Sequence, residues 1–383
     1  MLNILLIAWP CIHYGGAERW WYYILHEFRD KPIRVYVLIP TSWSLGCFAC
    51  PKKIQSSSLR VLYIRPRKNS LLKVISLTSS LINIIKKQSI DFVITGYQTP
   101  SLALASLIAS AMTRRKNFVV FHVPLGWLPY YRNEESKISI LNKLLIAAYS
   151  LLNTHRLLYF LMVSPSVAYD LERVNLKVSR VCSLKGAAVE KVYDAYRTFD
   201  RRDIDIIYLA SISRHKGVYD VPLILNYVKN RVPNIRAVII GKVPEHISEH
   251  LRDMLRSYGL EDNVKLLGYV DGYEKFELLA RSKVMIYPSY MDTFAIVVLE
   301  ALSTGTPVIA YAIPAIAINY RTNAVIKIRI GDVASMAEKV MDVLSNEQYW
   351  TKLSKEAINF SSTYNWKENA KSFLMCIVNG LRK

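Results

Sequence analysis

The sequence predicts an α/β fold built from two doubly wound domains, and three of its features lead to this prediction. Short apolar runs alternate with amphipathic stretches along nearly the whole chain. Continuous apolar runs are typical of parallel strands buried on both faces, with helices covering those faces. The alternation starts again near residue 204, and 383 residues are too many for one ordinary core.

The first half begins with the apolar run LNILLIA at 2–8, which predicts a strand, followed by a helix from about 17 to 28. A second helix is predicted over 69–88, where apolar residues recur at near-helical spacing. The remaining elements are predicted as strands at 33–39, 60–64, 91–95, 118–122 and 158–164 and a helix at 138–153.

The second half repeats the pattern with six apolar runs. They predict strands at 204–210, 236–241, 264–267, 284–287, 307–311 and 325–330. Amphipathic stretches predict helices at 218–230, 245–258, 272–282, 294–304 and 332–345. The polar segment 195–203 is the natural linker, so we expect domains at 1–197 and 203–365, with a ligand between them at the carboxyl ends of the strands.

The positive charge is concentrated in the first half. The formal net charge is +20, and residues 1–200 carry 26 Lys and Arg against 11 Asp and Glu, a net +15. Residues 51–90 hold nine basic residues and no acidic one. The predicted helix at 69–88 is either a surface that docks on anionic lipid headgroups or an ordinary core-facing helix with solvated lysines. Nucleic acid is not expected, because zinc-finger, aromatic RNA-binding and basic-zipper signatures are missing.

The five cysteines are odd in number and sparse, which does not indicate a disulfide framework and fits a reducing compartment. Cys47 and Cys50 form a lone pair without a second pair of zinc ligands, so no metal site is expected. The longest uncharged stretch, 92–113, is divided by Gly96 and Pro100 into a strand, a turn and a helix of about a dozen residues, and we expect no transmembrane helix. The apolar start of the chain lacks a basic region and is interpreted as a strand, not a signal peptide.

The most specific motif in the sequence contains two carboxylates. A strand ends at Tyr287, Asp292 lies at the entrance of the next helix, and Glu300 follows about 12 Å along the axis. A nucleotide diphosphate sugar is long enough to contact both, with its diphosphate at the free backbone donors of the helix start. The alternative is that Asp292 is a plain N-cap and Glu300 a solvated residue. However, Glu300 lies in the apolar stretch VVLEAL, where a charge needs a partner.

Three weaker signals accompany this motif. Arg214 and Lys216 follow the first strand of the second half, and they suit either a diphosphate or a solvated basic loop. Gly15 and Gly16 lie between a strand and a helix, where a phosphate can approach the backbone, although a plain tight turn has the same pattern. His122 ends a strand and either faces the expected cleft or is structural.

Taken in order, these motifs resemble the retaining glycosyltransferases of family 4. The matching pieces are GGAER near the start, HKG, NVKLLGYV, IYPSYMDTF, VVLEALSTGTPVIA and IPAI in the second half, and YNWKENAKSFL near the end. The resemblance implies the GT-B fold, with two Rossmann-like domains facing across a cleft. It also implies a nucleotide-sugar donor on the C-terminal domain, an acceptor on the N-terminal domain, no metal and no cofactor.

The resemblance also implies roles for single residues. Glu300 would bind the donor ribose, Asp292 would contact the transferred sugar, and Lys216 would hold the diphosphate. His122 would line the catalytic pocket, and the final helix at 366–383 would cross back onto the first domain. Further donor contacts are implied for Gly15, Gly16, Arg214, Tyr269, Thr293, Phe294 and Ala295.

The sequence departs from the family pattern at several of these positions. Ser211 replaces a usual arginine, Asp292 replaces a glutamate, and Thr293 and Ala295 replace glycines. These departures motivate an alternative function as a non-catalytic sugar-nucleotide binding or scaffold protein. A nucleotide-sugar epimerase of the same fold is a further alternative.

The function predicted from the sequence is the transfer of a hexose from a nucleotide diphosphate sugar, with retention at the anomeric carbon. The expected acceptor is a glycan or a polyprenyl or other lipid-linked carrier. Given the basic first half, we expect a cytoplasmic protein, peripheral on the inner face of the membrane.

Overall fold

The computed structural model describes most of the chain in two compact units. The described residues are 2–8, 16–29, 31–40, 56–65, 70–96, 99–122, 140–154, 157–173, 180–190, 194, 196 and 202–382. The first unit is Met1–Gly186 together with Trp366–Lys383, and the second is Ala187–Asn365. The division falls ahead of the polar segment 195–203 that the sequence suggested as the linker.

The first unit is built on a seven-stranded parallel sheet in the order β3-β2-β1-β4-β5-β6-β7. Its strands are β1 (Leu2–Ile7), β2 (Ile33–Pro40), β3 (Leu59–Ile64), β4 (Phe92–Thr95), β5 (Lys116–Phe121), β6 (Leu158–Met162) and β7 (Val181–Ser183). The helices between them are α1 (Gly16–His26), α2 (Ser70–Lys87), α3 (Pro100–Met112), α4 (Ile140–Thr154) and α5 (Pro165–Arg173).

The second unit is built on a six-stranded parallel sheet in the order β10-β9-β8-β11-β12-β13. Its strands are β8 (Ile204–Leu209), β9 (Ala237–Ile240), β10 (Val264–Gly268), β11 (Ser282–Tyr287), β12 (Val308–Tyr311) and β13 (Val325–Ile328). Its helices are α6 (Asp220–Lys229), α7 (Glu245–Ser257), α8 (Gly272–Ala280), α9 (Ile296–Ser303), α10 (Pro314–Asn319), α11 (Val333–Ser345) and α12 (Glu347–Ser362). The last helix, α13 (Trp366–Arg382), belongs to the first unit.

The predicted fold class is confirmed, because both sheets are parallel and both are doubly wound. The central strands are buried along their length, as the continuous apolar runs require; every residue of β4, β6, β8 and β9 is buried. The sequence did not predict β7, α5, α10 or α12. The short β7 lacks an apolar run, and two of its three residues are exposed.

Each sheet has a point at which the strand order reverses. In the first sheet the reversal lies between β1 and β4, and in the second it lies between β8 and β11. Ligands of doubly wound sheets bind outside the carboxyl ends of the strands at this point. The loops that follow β1, β4, β8 and β11 are therefore where a site is expected.

The last helix packs closely on the first unit. Phe373 lies edge-on to Trp20 and Trp21 of α1, with ring centroids 5.6 and 5.8 Å apart. A Cβ added to Gly380 would lie 2.6 Å from the Phe118 ring, so only glycine permits this approach. Lys116 donates hydrogen bonds from its Nζ to the last carbonyls of the helix.

A disulfide between Cys182 in β7 and Cys376 in α13 also joins the last helix to the first unit. The sequence did not indicate this bond, because the two cysteines are 194 residues apart and no spacing rule pairs them. The expectation of a reducing compartment, drawn from the number of cysteines, is at odds with it. Cys47 and Cys50 lie outside the described residues.

The basic helix α2 buries one face and exposes the other. Its buried face carries Leu77, Leu81 and Ile85, which pack in the core of the first unit. Leu72 and Ile75 lie on the outside and are 46% and 60% exposed. Within the described ranges, the helices lack the combination of length and apolar character needed to cross a membrane.

Candidate functional site

Two of the predicted site residues meet at the strand-order reversal of the second sheet. Lys216 follows β8, and Asp292 follows β11, which is the neighbouring strand. The Lys216 Nζ lies 2.5 Å from Asp292 Oδ2, in an ion pair that is largely shielded from solvent. Lys216 also donates to the Met291 carbonyl at 3.1 Å. A cation and a carboxylate are thus joined at the place where ligands of this fold class bind.

A glycine allows the two loops to approach this closely. Gly217 has a φ of +71°, and a Cβ added to it would lie 1.9 Å from the carbonyl oxygen of Pro288. The Tyr290 N–H donates to the His215 carbonyl at 2.9 Å, which ties the loops together. The glycine of HKG is therefore required both for its backbone conformation and for the space that it leaves.

The Asp292 carboxylate binds the backbone of the turn that leads into α9. Its Oδ1 accepts hydrogen bonds from the backbone N–H groups of Thr293, Phe294 and Ala295 at 2.7, 3.2 and 2.9 Å. Its Oδ2 accepts from the Tyr287 hydroxyl at 2.5 Å as well as from Lys216. The expectation that these backbone donors are free for a diphosphate is therefore wrong for this conformation, since the short aspartate side chain turns back onto them.

These contacts keep Asp292 ionised. Burial alone would raise the pKa of its carboxyl group, but the charge of Lys216 and the hydrogen bonds from Lys216, Tyr287 and Ala295 outweigh it, and the pKa lies below its usual value. Burial first, and then the adjacent carboxylate, raise the pKa of Tyr287 well above its usual value. Tyr287 therefore acts as a hydrogen-bond donor at neutral pH.

The turn that precedes α9 is strained, and side chains of α10 and the residue after it hold it in place through hydrogen bonds. Ala295 has a φ of +61°, a left-handed conformation that glycine adopts without cost. The Tyr320 hydroxyl donates to the Ala295 carbonyl at 2.9 Å, and the Asn319 amide donates to the Thr293 carbonyl at 3.2 Å. Phe294 is buried and packs against Tyr320. The helix consequently begins at Ile296, slightly later than the sequence suggested.

Glu300 is buried in an ion pair with a residue that the sequence did not single out. Its Oε1 accepts from the Lys275 Nζ at 2.8 Å, and the two side chains are 4% and 5% exposed. The interpretation of Glu300 as a solvated helix residue is thus wrong, and the partner demanded by its apolar surroundings is Lys275. A lysine on the inward face of the amphipathic stretch 272–282, beside the apolar Phe276 and Leu279, was the signal that could have revealed it.

The remaining predicted donor residues of the second unit lie at its surface. The Arg214 guanidinium lies 5.9 Å from the centre of the Tyr219 ring. Tyr269 is 60% exposed, and its hydroxyl donates to Asp271 at 3.2 Å. Both follow the carboxyl ends of strands, β8 and β10.

In the first unit, His122 packs against two tryptophans. It follows β5, and its ring lies edge-on to Trp20 and Trp21, with centroids 5.1 and 5.6 Å away. Its Nε2 atom is buried and has no hydrogen-bond partner among the described residues. Burial lowers the pKa of His122 to about 3, so the imidazole is neutral at physiological pH. Gly16 is exposed at the start of α1, and Gly15 lies outside the described residues.

In the described part of the chain, His, Cys, Asp and Glu side chains do not gather in a group of three or more that could hold a metal ion. The charged groups at the reversal point are instead an ammonium and a carboxylate, held by the contacts given above.

The segment that carries Lys216, Lys275, Asp292 and Glu300 matches a known family model. The family is described as "Glycosyl transferases group 1", and the match covers residues 193–360. This C-terminal segment is thus similar to the group 1 glycosyltransferases. Among curated relatives, a glycogen synthase of Mycobacterium tuberculosis is 26% identical over 167 residues, which is 43% of this chain. The chain spans only 39% of the length of that relative.

Solved structures of glycosyltransferases resemble the chain over nearly its whole length. Anabaena HepE, solved in complex with UDP and glucose, has a TM-score of 0.76 at 15% identity and covers 99% of this chain and 100% of its own. WaaG, described as a glycosyltransferase involved in lipopolysaccharide biosynthesis, has a TM-score of 0.69 at 14% identity and covers 96% and 97%. At this identity the likeness concerns the fold, and the expected GT-B fold class is confirmed.

Proposed function

We propose that the protein is a glycosyltransferase of group 1 that transfers a hexose from a nucleotide diphosphate sugar, with retention at the anomeric carbon. The observation that carries the proposal is the Lys216–Asp292 ion pair at the strand-order reversal of the second sheet. A diphosphate needs a cation at this position, and Lys216 supplies one. HepE, which has the same fold and was solved with UDP and glucose, supports this type of donor.

In the proposed reaction the bond between the anomeric carbon and the diphosphate oxygen breaks, and negative charge develops on the leaving phosphate. Lys216 and the N–H groups of the turn that precedes α9 stabilise that charge. Because Asp292 engages these same donors, its carboxylate must share them or move when the donor binds. The acceptor hydroxyl attacks on the same face through an oxocarbenium-like state, and the departing phosphate takes its proton.

We further propose that the reaction needs neither a metal ion nor a cofactor. The positive charge that the leaving group requires comes from the Lys216 ammonium, with Arg214 as a second cation at the end of the same strand. A neutral His122 would offer a hydrogen bond to the sugar or the acceptor without adding charge, since its pKa is about 3.

The proposed acceptor is a glycan or a lipid-linked carrier, reached from an anionic membrane surface. The ends of α2 and α3 enclose a concavity of about 480 Å³, whose lining includes Lys86, Arg114 and Arg115 together with Met112. Met112 is 68% exposed, so an apolar side chain projects among these cations. Cations around an exposed apolar residue favour the interface of an anionic bilayer. WaaG, with its part in lipopolysaccharide biosynthesis, supports an acceptor of this kind.

The position of this concavity indicates how far the acceptor sugar must extend from a docked membrane. It lies where β4 and β5 begin, whereas His122 follows the end of β5. The strand has six residues, which corresponds to about 20 Å. A docked membrane would lie at least that far from His122, so we propose that the acceptor sugar extends away from its lipid.

A donor screen tests the proposed function. The melting temperature of the protein is measured with UDP-, GDP-, ADP- and dTDP-hexoses, because a ligand that binds the native state raises it. The donor that stabilises the protein is then incubated with it, and the released nucleoside diphosphate is measured. We expect stabilisation and turnover with one nucleotide class, and retention of anomeric configuration in the product. Tight binding without turnover would favour a scaffold role, and an isomerised sugar formed without acceptor would favour an epimerase.

A further inference from the structure

The ion pair between Glu300 and Lys275 includes a third charged residue. Lys275 lies in α8 and Glu300 in α9, so neighbouring helices contribute the pair. The Lys275 Nζ also lies 3.0 Å from Asp271 Oδ1, on the residue immediately before α8. One ammonium therefore serves two carboxylates, at 2.8 and 3.0 Å.

The three charges differ in their access to solvent. The side chains of Lys275 and Glu300 are almost fully buried, whereas that of Asp271 is 21% exposed. The neighbours of Glu300 along the helix, Leu299 and Ala301, are fully buried. A carboxylate in such surroundings keeps its charge and its direction only if a cation holds it. The cluster carries a net charge of −1, which favours contact with hydrogen-bond donors such as hydroxyl groups.

We propose that Lys275 is a positioning residue that holds the Glu300 carboxylate in place to bind the ribose hydroxyls of the nucleotide. The inference rests on the proposed function and adds a residue to it. The ammonium binds Oε1 of Glu300 and so sets the rotation of the carboxylate. Asp271, at the solvent side of the cluster, binds the same ammonium and holds the lysine in turn. Without Lys275, the glutamate carboxylate would lose the contact that orients it, and the ribose would lose its acceptor.

The test compares ribose with deoxyribose nucleotides. The affinities of UDP, GDP and ADP, each beside its 2′-deoxy counterpart, are measured by calorimetry for the wild type and for Lys275→Met. We expect the wild type to bind one ribonucleotide about tenfold or more tightly than its deoxy form, as for a hydroxyl bound to a charged group. In Lys275→Met this preference falls to about twofold or less. A purely structural lysine would weaken both forms equally and leave their ratio unchanged.

Three further variants complete the test. Lys275→Arg keeps the cation and is expected to keep the preference, and Glu300→Gln is expected to lose it. Lys265→Met, which changes an exposed lysine on β10, is the matched control and is expected to match the wild type. If Lys275→Met does not fold, Lys275→Gln retains a hydrogen-bond donor without the charge and is expected to show the same loss.

The outcomes separate this inference from the function on which it rests. If the wild type binds none of the three nucleotides and none of the four donor classes of the screen, the proposed function is contradicted and the role of Lys275 falls with it. If the wild type binds a ribonucleotide with the expected preference and a folded neutral variant of Lys275 keeps that preference, the positioning role alone is overturned. The same conclusion follows if the wild type itself does not distinguish the two sugars.

Discussion

At the scale of single residues, Asp292 departs most from what the sequence suggested. Its place after β11 and its closeness to Lys216 follow from the rule that the carboxyl ends of neighbouring parallel strands lie together. Its hydrogen bonds to three backbone N–H groups do not follow from that rule. They depend on the side-chain length of aspartate and on the left-handed conformation of Ala295, neither of which a strand pattern encodes.

The strain at Ala295 leads to a prediction about stability. Replacing Ala295 by glycine removes the cost of a left-handed φ, about 1–2 kcal/mol, and adds flexibility to the unfolded chain, which offsets part of the gain. We expect Ala295→Gly to raise the free energy of unfolding of the second unit by about 0.5–1 kcal/mol. Chemical denaturation measures this change, and a lower free energy of unfolding in the variant would contradict the assigned conformation.

His122, whose ring atom Nε2 is buried, leads to a prediction about pH. Its pKa is lowered to about 3 in the folded state, whereas in the unfolded chain it lies near 6.5. The stability that it contributes is thus fully present above pH 6.5 and is lost as the pH falls from 6.5 towards 3, by about 1.4 kcal/mol per pH unit. Denaturation of the wild type and of His122→Gln at pH 7, 6 and 5 measures it.

We expect the wild type to lose stability faster than His122→Gln between pH 6 and 5. His246→Gln, which changes an exposed histidine, serves as the control and should follow the wild type. Parallel pH profiles for the wild type and His122→Gln would show that the imidazole is accessible to protons in the folded protein.

At the scale of elements, the turn after β8 and the loop after β11 act as one unit because Gly217 lies against Pro288. Gly217→Ala would place a Cβ 1.9 Å from the Pro288 carbonyl and separate the loops. We expect this variant to weaken nucleotide binding by about tenfold or more, because Lys216 and Asp292 no longer meet. Calorimetry with the donor nucleotide measures the change.

Gly259→Ala is the matched control for this prediction. Gly259 also has a positive φ, of +60°, but an added Cβ would meet only the tip of Lys229, at 3.5 Å. It therefore shares the backbone strain and lacks the clash. Equal effects of the two alanine substitutions on nucleotide affinity would argue against a required contact between the loops.

The basic ends of α2 and α3 form the element for which membrane docking is proposed. Changing Lys86 and Lys87 to Glu reverses two charges near the concavity, and each basic residue at an anionic surface contributes about 1 kcal/mol. We expect binding to vesicles containing anionic phosphatidylserine to weaken by about tenfold or more in flotation assays, and binding of the wild type to weaken at high salt. Lys352→Glu with Lys355→Glu makes the same charge change on α12 and should have little effect.

Equal flotation of the wild type and both double variants would contradict electrostatic binding of the membrane. Binding to neutral vesicles that does not depend on salt would contradict it as well. Lys52 and Lys53, which belong to the same basic stretch, lie outside the described residues and are not needed for this test.

At the scale of the whole molecule, most of the architecture could be predicted from the sequence. Buried parallel strands leave continuous apolar runs, so β8 to β13 lie within a few residues of their predicted positions. The disulfide between Cys182 and Cys376 could not be predicted, since it depends on how α13 packs against the first unit. The sequence predicts that Glu300 requires a charged partner, but it does not identify Lys275 as that partner. The contact between α8 and α9 depends on how the helices pack.

We propose above that Lys216, beside Asp292 at the strand-order reversal of the second sheet, binds the diphosphate of the donor. Calorimetric titration of the wild type, Lys216→Met and the control Lys265→Met with the preferred nucleoside diphosphate tests it most directly. We expect Lys216→Met to bind about tenfold to a hundredfold more weakly, as for the loss of a charge-assisted contact, and Lys265→Met to match the wild type. Equal affinity of Lys216→Met and the wild type would show that Lys216 does not bind the diphosphate.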